Sequence, residues 1–138
     1  MFEQKKITYK MKLLSSLAKV FQDEEPVYQM ECQTLSALWG ETVSFQAAYT
    51  GDFFMRERLD VEVVSPLKDY IRVRTVEQVP VGRATNGIVD DNYLRTEPGL
   101  YPDLLRDVKD GKVIVCSNQW RSLWIDIEVT KDIAPGNY

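Results

Sequence analysis

The stretch Thr42-Val43-Ser44-Phe45-Gln46-Ala47-Ala48-Tyr49 decides the fold. Val43, Phe45, Ala47 and Tyr49 alternate with Thr42, Ser44, Gln46 and Ala48. Strand side chains point to opposite faces with period two, so the alternation predicts a half-buried strand. Gly51-Asp52 supplies a turn after it. The same pattern recurs further along. Leu59, Val61 and Val63 alternate with Arg58, Asp60 and Glu62 until Ser65-Pro66 ends the run. Ile71, Val73 and Thr75 alternate with Tyr70, Arg72 and Arg74. Late in the chain, Leu123, Ile125, Ile127 and Val129 alternate with Trp124, Asp126 and Glu128. Tyr28 to Leu35 reads as a further strand, with Met30 and Cys32 on one side. These candidates, the frequent turn signals and the lack of a long helical pattern predict an all-β fold, an immunoglobulin-like antiparallel β-sandwich.

Three segments fit that pattern less simply. Met11, Leu14, Leu17, Ala18 and Phe21 lie on one helical face, so Met11 to Phe21 taken alone leans to helix. Pro80 to Gly111 holds Gly82, Asn86-Gly87, Pro98-Gly99, Pro102 and Asp110-Gly111, with one apolar cluster at Leu100, Tyr101, Leu104 and Leu105. It reads as one long irregular loop, with a short helical turn at Leu104 to Val108. Such a connection is uncommon in a compact domain and often carries function. Ala134-Pro135-Gly136-Asn137-Tyr138 is a turn signal, and turns normally lead somewhere. The expectation is one domain over residues 1–138, the N-terminal part of a longer protein.

Composition removes whole classes of chemistry. The chain has no histidine and two cysteines, so it holds no Ser-His-Asp triad, no Cys-His pair and no Cys₂His₂ or Cys₄ zinc site. No metal and no cofactor are expected. Seventeen basic against 21 acidic residues give a net charge of −4, without the basic stripe that nucleic acid requires. No run approaches the roughly 20 apolar residues of a membrane span, and no leader is recognised at the N-terminus. Lys5, Lys6, Lys10 and Lys12 precede Leu13 to Phe21, but Lys19 interrupts that run. The expected location is cytoplasmic, with Cys32 and Cys116 as buried free thiols, although their pairing is not fixed by the sequence.

The tail from Leu123 to Val129, followed by Lys131-Asp132-Ile133-Ala134-Pro135-Gly136-Asn137-Tyr138, resembles a segment of a bacterial family catalogued as domain of unknown function 4091. That family is related to glycoside hydrolase family 123. Gly99-Leu100-Tyr101-Pro102-Asp103-Leu104-Leu105 and Gly40-Glu41 followed by Ser44-Phe45-Gln46 are similar to two further elements of it. The likeness runs from about Leu14 to Tyr138, with departures at Thr130 and Leu104, where the family favours Pro. The resemblance implies an N-terminal β-sandwich followed by a (β/α)₈ barrel that carries the acidic pair. It also implies that Leu14 to Phe21 is a strand leading to the turn Asp23-Glu24-Glu25-Pro26. The expected function is a non-catalytic domain of a glycoside-hydrolase-like protein, with that barrel as its partner.

Two groups of residues are candidates for contact with carbohydrate or with a neighbouring domain. Trp120 and Trp124 share the parity of Asp126 and Glu128, and four residues of strand separate the indoles by roughly 13 Å. They could stack on sugar rings beside carboxylates, which makes a stand-alone carbohydrate-binding module the alternative function. Packing against a domain or under the loop is the simpler role. Tyr101-Pro102-Asp103 could present Tyr101 and Asp103 to a substrate, or serve only as turn chemistry. No catalytic residue is expected. Asp90 and Asp91 read as a solvated pair, too few ligands for a cation site and unable to face each other across a glycosidic bond. Asp23-Glu24-Glu25 reads as a solvated turn. Arg56, Arg58, Arg72 and Arg74 are expected to meet Asp60 and Glu62 across the sheet. Trp39-Gly40-Glu41 marks a bend.

Overall fold

The computed structural model describes residues 8–52, 57–85, 87–88 and 91–138. Its strands are β1 (Tyr9–Ser15), β2 (Thr42–Gly51), β3 (Glu57–Asp60), β4 (Ile71–Val81), β5 (Gly99–Asp107), β6 (Lys112–Val115) and β7 (Arg121–Glu128). The first sheet has the order β1-β2-β7-β4-β5, antiparallel throughout. The second is the antiparallel pair β3-β6. The chain is therefore all-β with antiparallel sheets in two layers, as the alternation of Thr42 to Tyr49 predicts. Among the described residues, no helix is long and apolar enough to cross a membrane.

Directly opposed residues of antiparallel strands share a face. Val43 opposes Ile127, Phe45 opposes Ile125, and Ile71 and Val73 join the same two residues from β4. One end of this apolar face receives the second sheet. Tyr49 Oη donates to the Ile114 carbonyl at 3.2 Å, and Val113 and Val115 of β6 are buried.

The opposite face carries Ser44, Gln46, Ala48, Ser122, Trp124 and Asp126, and its alternation marks it as the solvent side. The half beside Trp120 is instead closely enclosed among the described residues. Gln46 and Ser122 are 2% exposed and Ala48 is 0% exposed. The cause is the chain leaving β1, which crosses this face as a strap over residues 16–22. Gln46 Nε2 donates to the carbonyls of Ser15, Ser16 and Ala18 at 3.3, 3.4 and 2.7 Å. Gln78 Nε2 donates to the Val20 carbonyl at 3.2 Å, and the Trp120 backbone N–H donates to the Gln22 carbonyl at 2.9 Å. A segment lying across a sheet face has no ladder, so its carbonyls need other donors. Leu14, Ala18, Val20, Ala48 and Trp120 pack beneath it as a core cluster. The strand implied to reach Phe21 thus stops at Ser15. The local helical period is not used either, and Leu17 stays 79% exposed.

Several expectations need correction. Pro80 to Gly111 is not one irregular loop, because β4 runs on to Val81 and Gly99–Asp107 is strand β5. Proline hides this from a pattern reading. Pro102 lies on an edge strand, and Pro80 lies beyond the Val76 limit of the β7 pairing, so neither missing N–H breaks a ladder bond there. Leu104 pairs with Glu77 rather than starting a helical turn, and a bulge beside it leaves Asp103 as the extra residue. Tyr28 to Leu35 is not a strand. It holds a 3₁₀ turn at Tyr28–Met30, and the edge of β1 accepts it only at Glu31, which bridges Leu14, and at Cys32, whose N–H donates to Leu13 at 3.0 Å. β3 ends at Asp60, and β6 is a strand that the alternation does not signal. Asp110 and Gly111 have φ of 54° and 62° inside a turn closed from Lys112 N to Lys109 O at 3.0 Å. Positive φ at both central residues makes it type I′.

Candidate functional site

Strand register builds one polar cluster on the first sheet. Ser44 stands opposite Asp126, and Arg74 stands opposite Trp124. Asp126 Oδ1 accepts from Ser44 Oγ at 2.6 Å and from Trp124 Nε1 at 2.7 Å. Asp126 Oδ2 accepts from Arg74 Nη2 at 2.5 Å. Burial pushes this carboxyl up, but the three donors and the guanidinium charge outweigh it and hold Asp126 below the usual carboxylate range. Asp126 is therefore an ionised tie between β2, β7 and β4. A glycosidase general acid needs the opposite shift and a facing second carboxylate.

The structure places the other candidates apart from this cluster. Trp120 is 7% exposed, in the core under the strap, and presents no open ring face. The two indoles therefore do not form an open stacking pair, and the Trp124 N–H is already used by Asp126. Tyr101 lies on β5 rather than in a loop. Its hydroxyl donates to the Glu97 carbonyl at 2.6 Å, and its ring meets Phe21 edge-on at 5.6 Å. Asp103 is exposed at the bulge of the same edge strand. Trp124 and Asp126 are the expected pair that the fold brings into contact.

The acidic turn is more than a solvated loop. Arg95 Nη1 and Nη2 grip Asp23 at 3.1 and 2.8 Å, and Nη2 reaches Glu24 at 3.1 Å. The same guanidinium lies 3.8 Å from the centre of the Phe21 ring. Lys12 binds Glu25 at 2.9 Å and lies 3.9 Å from the centre of the Tyr28 ring. Arg72 pairs with Asp107, Arg74 with Asp126, and Asp60 with Lys112, rather than in the expected set. Arg56 and Asp90 lie outside the described residues. Among the described residues no group of acidic or cysteine side chains could hold a metal. Cys32 and Cys116 are free thiols, half-buried rather than fully buried.

A groove of about 1000 Å³ opens on the apolar face where the second sheet does not reach. Its floor includes Leu13, Val43, Phe45, Ile71 and Ile127, and residues 32–39 and 133–138 form part of its walls. Gly40, with φ of +88°, turns the chain out of the first wall into β2. Trp39 Nε1 donates to the Ile133 carbonyl at 2.9 Å and joins the walls. Leu35 and Leu38 remain 45% and 74% exposed. The run Leu35-Ser36-Ala37-Leu38-Trp39 was the available signal for this feature, but its length and mixed pattern assign it to no element.

No protein-family profile matches the chain, and no curated protein matches it. Among solved structures, the chain is similar to a family 123 glycoside hydrolase from Clostridium perfringens, studied for glycolipid glycan hydrolysis. The TM-score is 0.62 at 14% identity, over 94% of this chain and 23% of the hydrolase chain. The fold is similar to that of one part of that hydrolase chain. At this identity the likeness shows the fold alone, and the chain spans under a quarter of the length of that protein.

Proposed function

We propose that this chain is a non-catalytic β-sandwich domain of a glycoside-hydrolase-like protein, which packs on a following catalytic barrel and helps shape its cleft. One observation carries the reading: the similarity takes in 94% of this chain but only 23% of the hydrolase. Membership of the family catalogued as domain of unknown function 4091 belongs to the same proposal. The state of Asp126 supports it, because that carboxylate is ionised and committed to three protein donors. A carbohydrate-binding module built on Trp120 and Trp124 has less support, because Trp120 is enclosed.

The test compares the 138-residue chain with the longest polypeptide encoded around it. Both are assayed on aryl N-acetylhexosaminides and glycolipid glycans. The expected result is hydrolysis by the longer polypeptide and only blank-level release by the chain. Release by the chain itself, abolished by Asp126→Asn or Asp103→Asn, would overturn the proposal.

A further inference from the structure

A second, polar pocket of about 380 Å³ lies where the strap ends. Gln22 and Asp23 form one side of it, and Arg95 with residues 97–100 forms the other. Its charged groups are held in place from beneath. Arg95 keeps only 20% of its side chain exposed. It lies on the ring of buried Phe21 and meets Asp23 through two parallel bonds. Tyr101 packs edge-on against the same ring and donates its hydroxyl to the Glu97 carbonyl. The bond from Arg95 holds the Asp23 carboxyl below its usual range, and the backbone N–H groups of Glu97 and Thr96 do the same for Glu97. Both carboxylates therefore stand in the pocket as ionised acceptors.

We infer that this pocket binds one ring of a neutral sugar, whose hydroxyls meet Asp23, Arg95 and Glu97 while a C–H face lies on Pro98 and Leu100. Each carboxylate offers about four lone-pair sites. Arg95 fills two on Asp23 and the Thr96 N–H fills one on Glu97, so hydroxyl donors find acceptors on both. The Gln22 amide adds a donor and an acceptor at the rim. Charged ligands fit less well. An anion would meet Asp23, Glu24 and Glu97 around a single guanidinium. An organic cation would lack an aromatic face, because Arg95 already covers Phe21. Pro98 and Leu100, the latter 40% exposed, supply an apolar wall beside the polar groups. The volume is near the lower end of the range for small-ligand sites, about 300–1,000 Å³, which suits one ring rather than a long chain. Only the choice of a sugar among neutral polyols rests on the proposed relation to glycoside hydrolases.

The test is a titration of the 138-residue chain, followed by amide chemical shifts in nuclear magnetic resonance. The probes are the methyl glycosides of glucose, galactose and N-acetylglucosamine, with sorbitol and methylammonium as comparisons. At least one glycoside is expected to give saturable shifts in the millimolar range, centred on Gln22, Asp23 and residues 95–100. Glu97→Gln and, independently, Gln22→Ala are each expected to weaken that binding at least three-fold, and Trp124→Phe to leave it unchanged. Binding lost with Trp124→Phe but kept by both pocket variants overturns the assignment in favour of a tryptophan platform. Larger shifts from methylammonium overturn it in favour of a cation, and equal affinity for sorbitol overturns the choice of a sugar ring. No saturable shift with any glycoside, beside hydrolysis by the longer polypeptide, overturns the pocket and leaves the accessory-domain proposal standing. Glycoside binding by the chain, with no hydrolysis by the longer polypeptide, supports the pocket and counts against that proposal alone.

Discussion

Replacing Asp126 with alanine removes a single side chain that ties three strands. Ser44, Trp124 and Arg74 all lose their acceptor. Hydrogen bonds to charged groups contribute about 1.5–3 kcal/mol each, and removing one member of a buried ion pair costs about 3–5 kcal/mol. The Arg74 and Asp126 side chains keep 22% and 16% exposure, so water recovers part of the loss. The expected cost of Asp126→Ala is therefore about 3 kcal/mol, at the low end of that range. For a domain of this size it lowers Tm by about 9 °C. Urea denaturation and thermal melting monitored by circular dichroism measure both quantities. Because the partners touch, Arg74→Met combined with Asp126→Ala should cost less than the sum of the single changes. The pH dependence adds a second constraint. The folded carboxyl titrates below its unfolded value, so its contribution is full above that value, 3.8, and is lost as pH falls through the folded one. The gap between wild type and variant should narrow below that point. A Tm change under about 2 °C, or a gap that persists undiminished at low pH, would refute the reasoning.

Gln46→Leu should cost about 2–3 kcal/mol by urea denaturation, because it strips donors from the strap carbonyls and the acceptor from Ser122; an unchanged midpoint would show that the strap does not depend on it. Burial raises the Tyr49 hydroxyl to about 12, so ultraviolet titration should show one late-ionising tyrosine that Tyr49→Phe removes. Its contribution to stability is full below the unfolded value of 10.0 and is lost as pH rises through the folded value; a wild-type titration with no tyrosine left above pH 11 or so contradicts this. Arg95→Ala should speed amide exchange at residues 91–97 while leaving β2 and β7 unchanged, because Arg95 holds that segment to Asp23 and Phe21. Uniformly faster exchange would mean that Arg95 acts on global stability instead. Arg95 holds the Asp23 carboxyl below its usual range, so the grip should loosen in acid.

Local periodicity was enough for the all-β class, because alternation along Thr42 to Tyr49 and Leu123 to Val129 is a property of the strand itself. It also limited the chemistry, since a chain without histidine lacks imidazole whatever its fold. Proline obscured β5, because whether Pro102 is tolerated depends on which strand lies at the edge, and that is decided by the assembled sheet. Residue type marked Trp120 and Trp124 as equals, yet one is enclosed by the strap and the other binds Asp126. The deepest difference lies at Gln46 and Ser122. Alternation puts them on the solvent face, and only the return of residues 16–22 across that face buries them. A strand's sequence states which side chains share a face. What covers that face depends on distant segments, and here a glutamine is buried because its amide satisfies the carbonyls that the crossing chain brings with it.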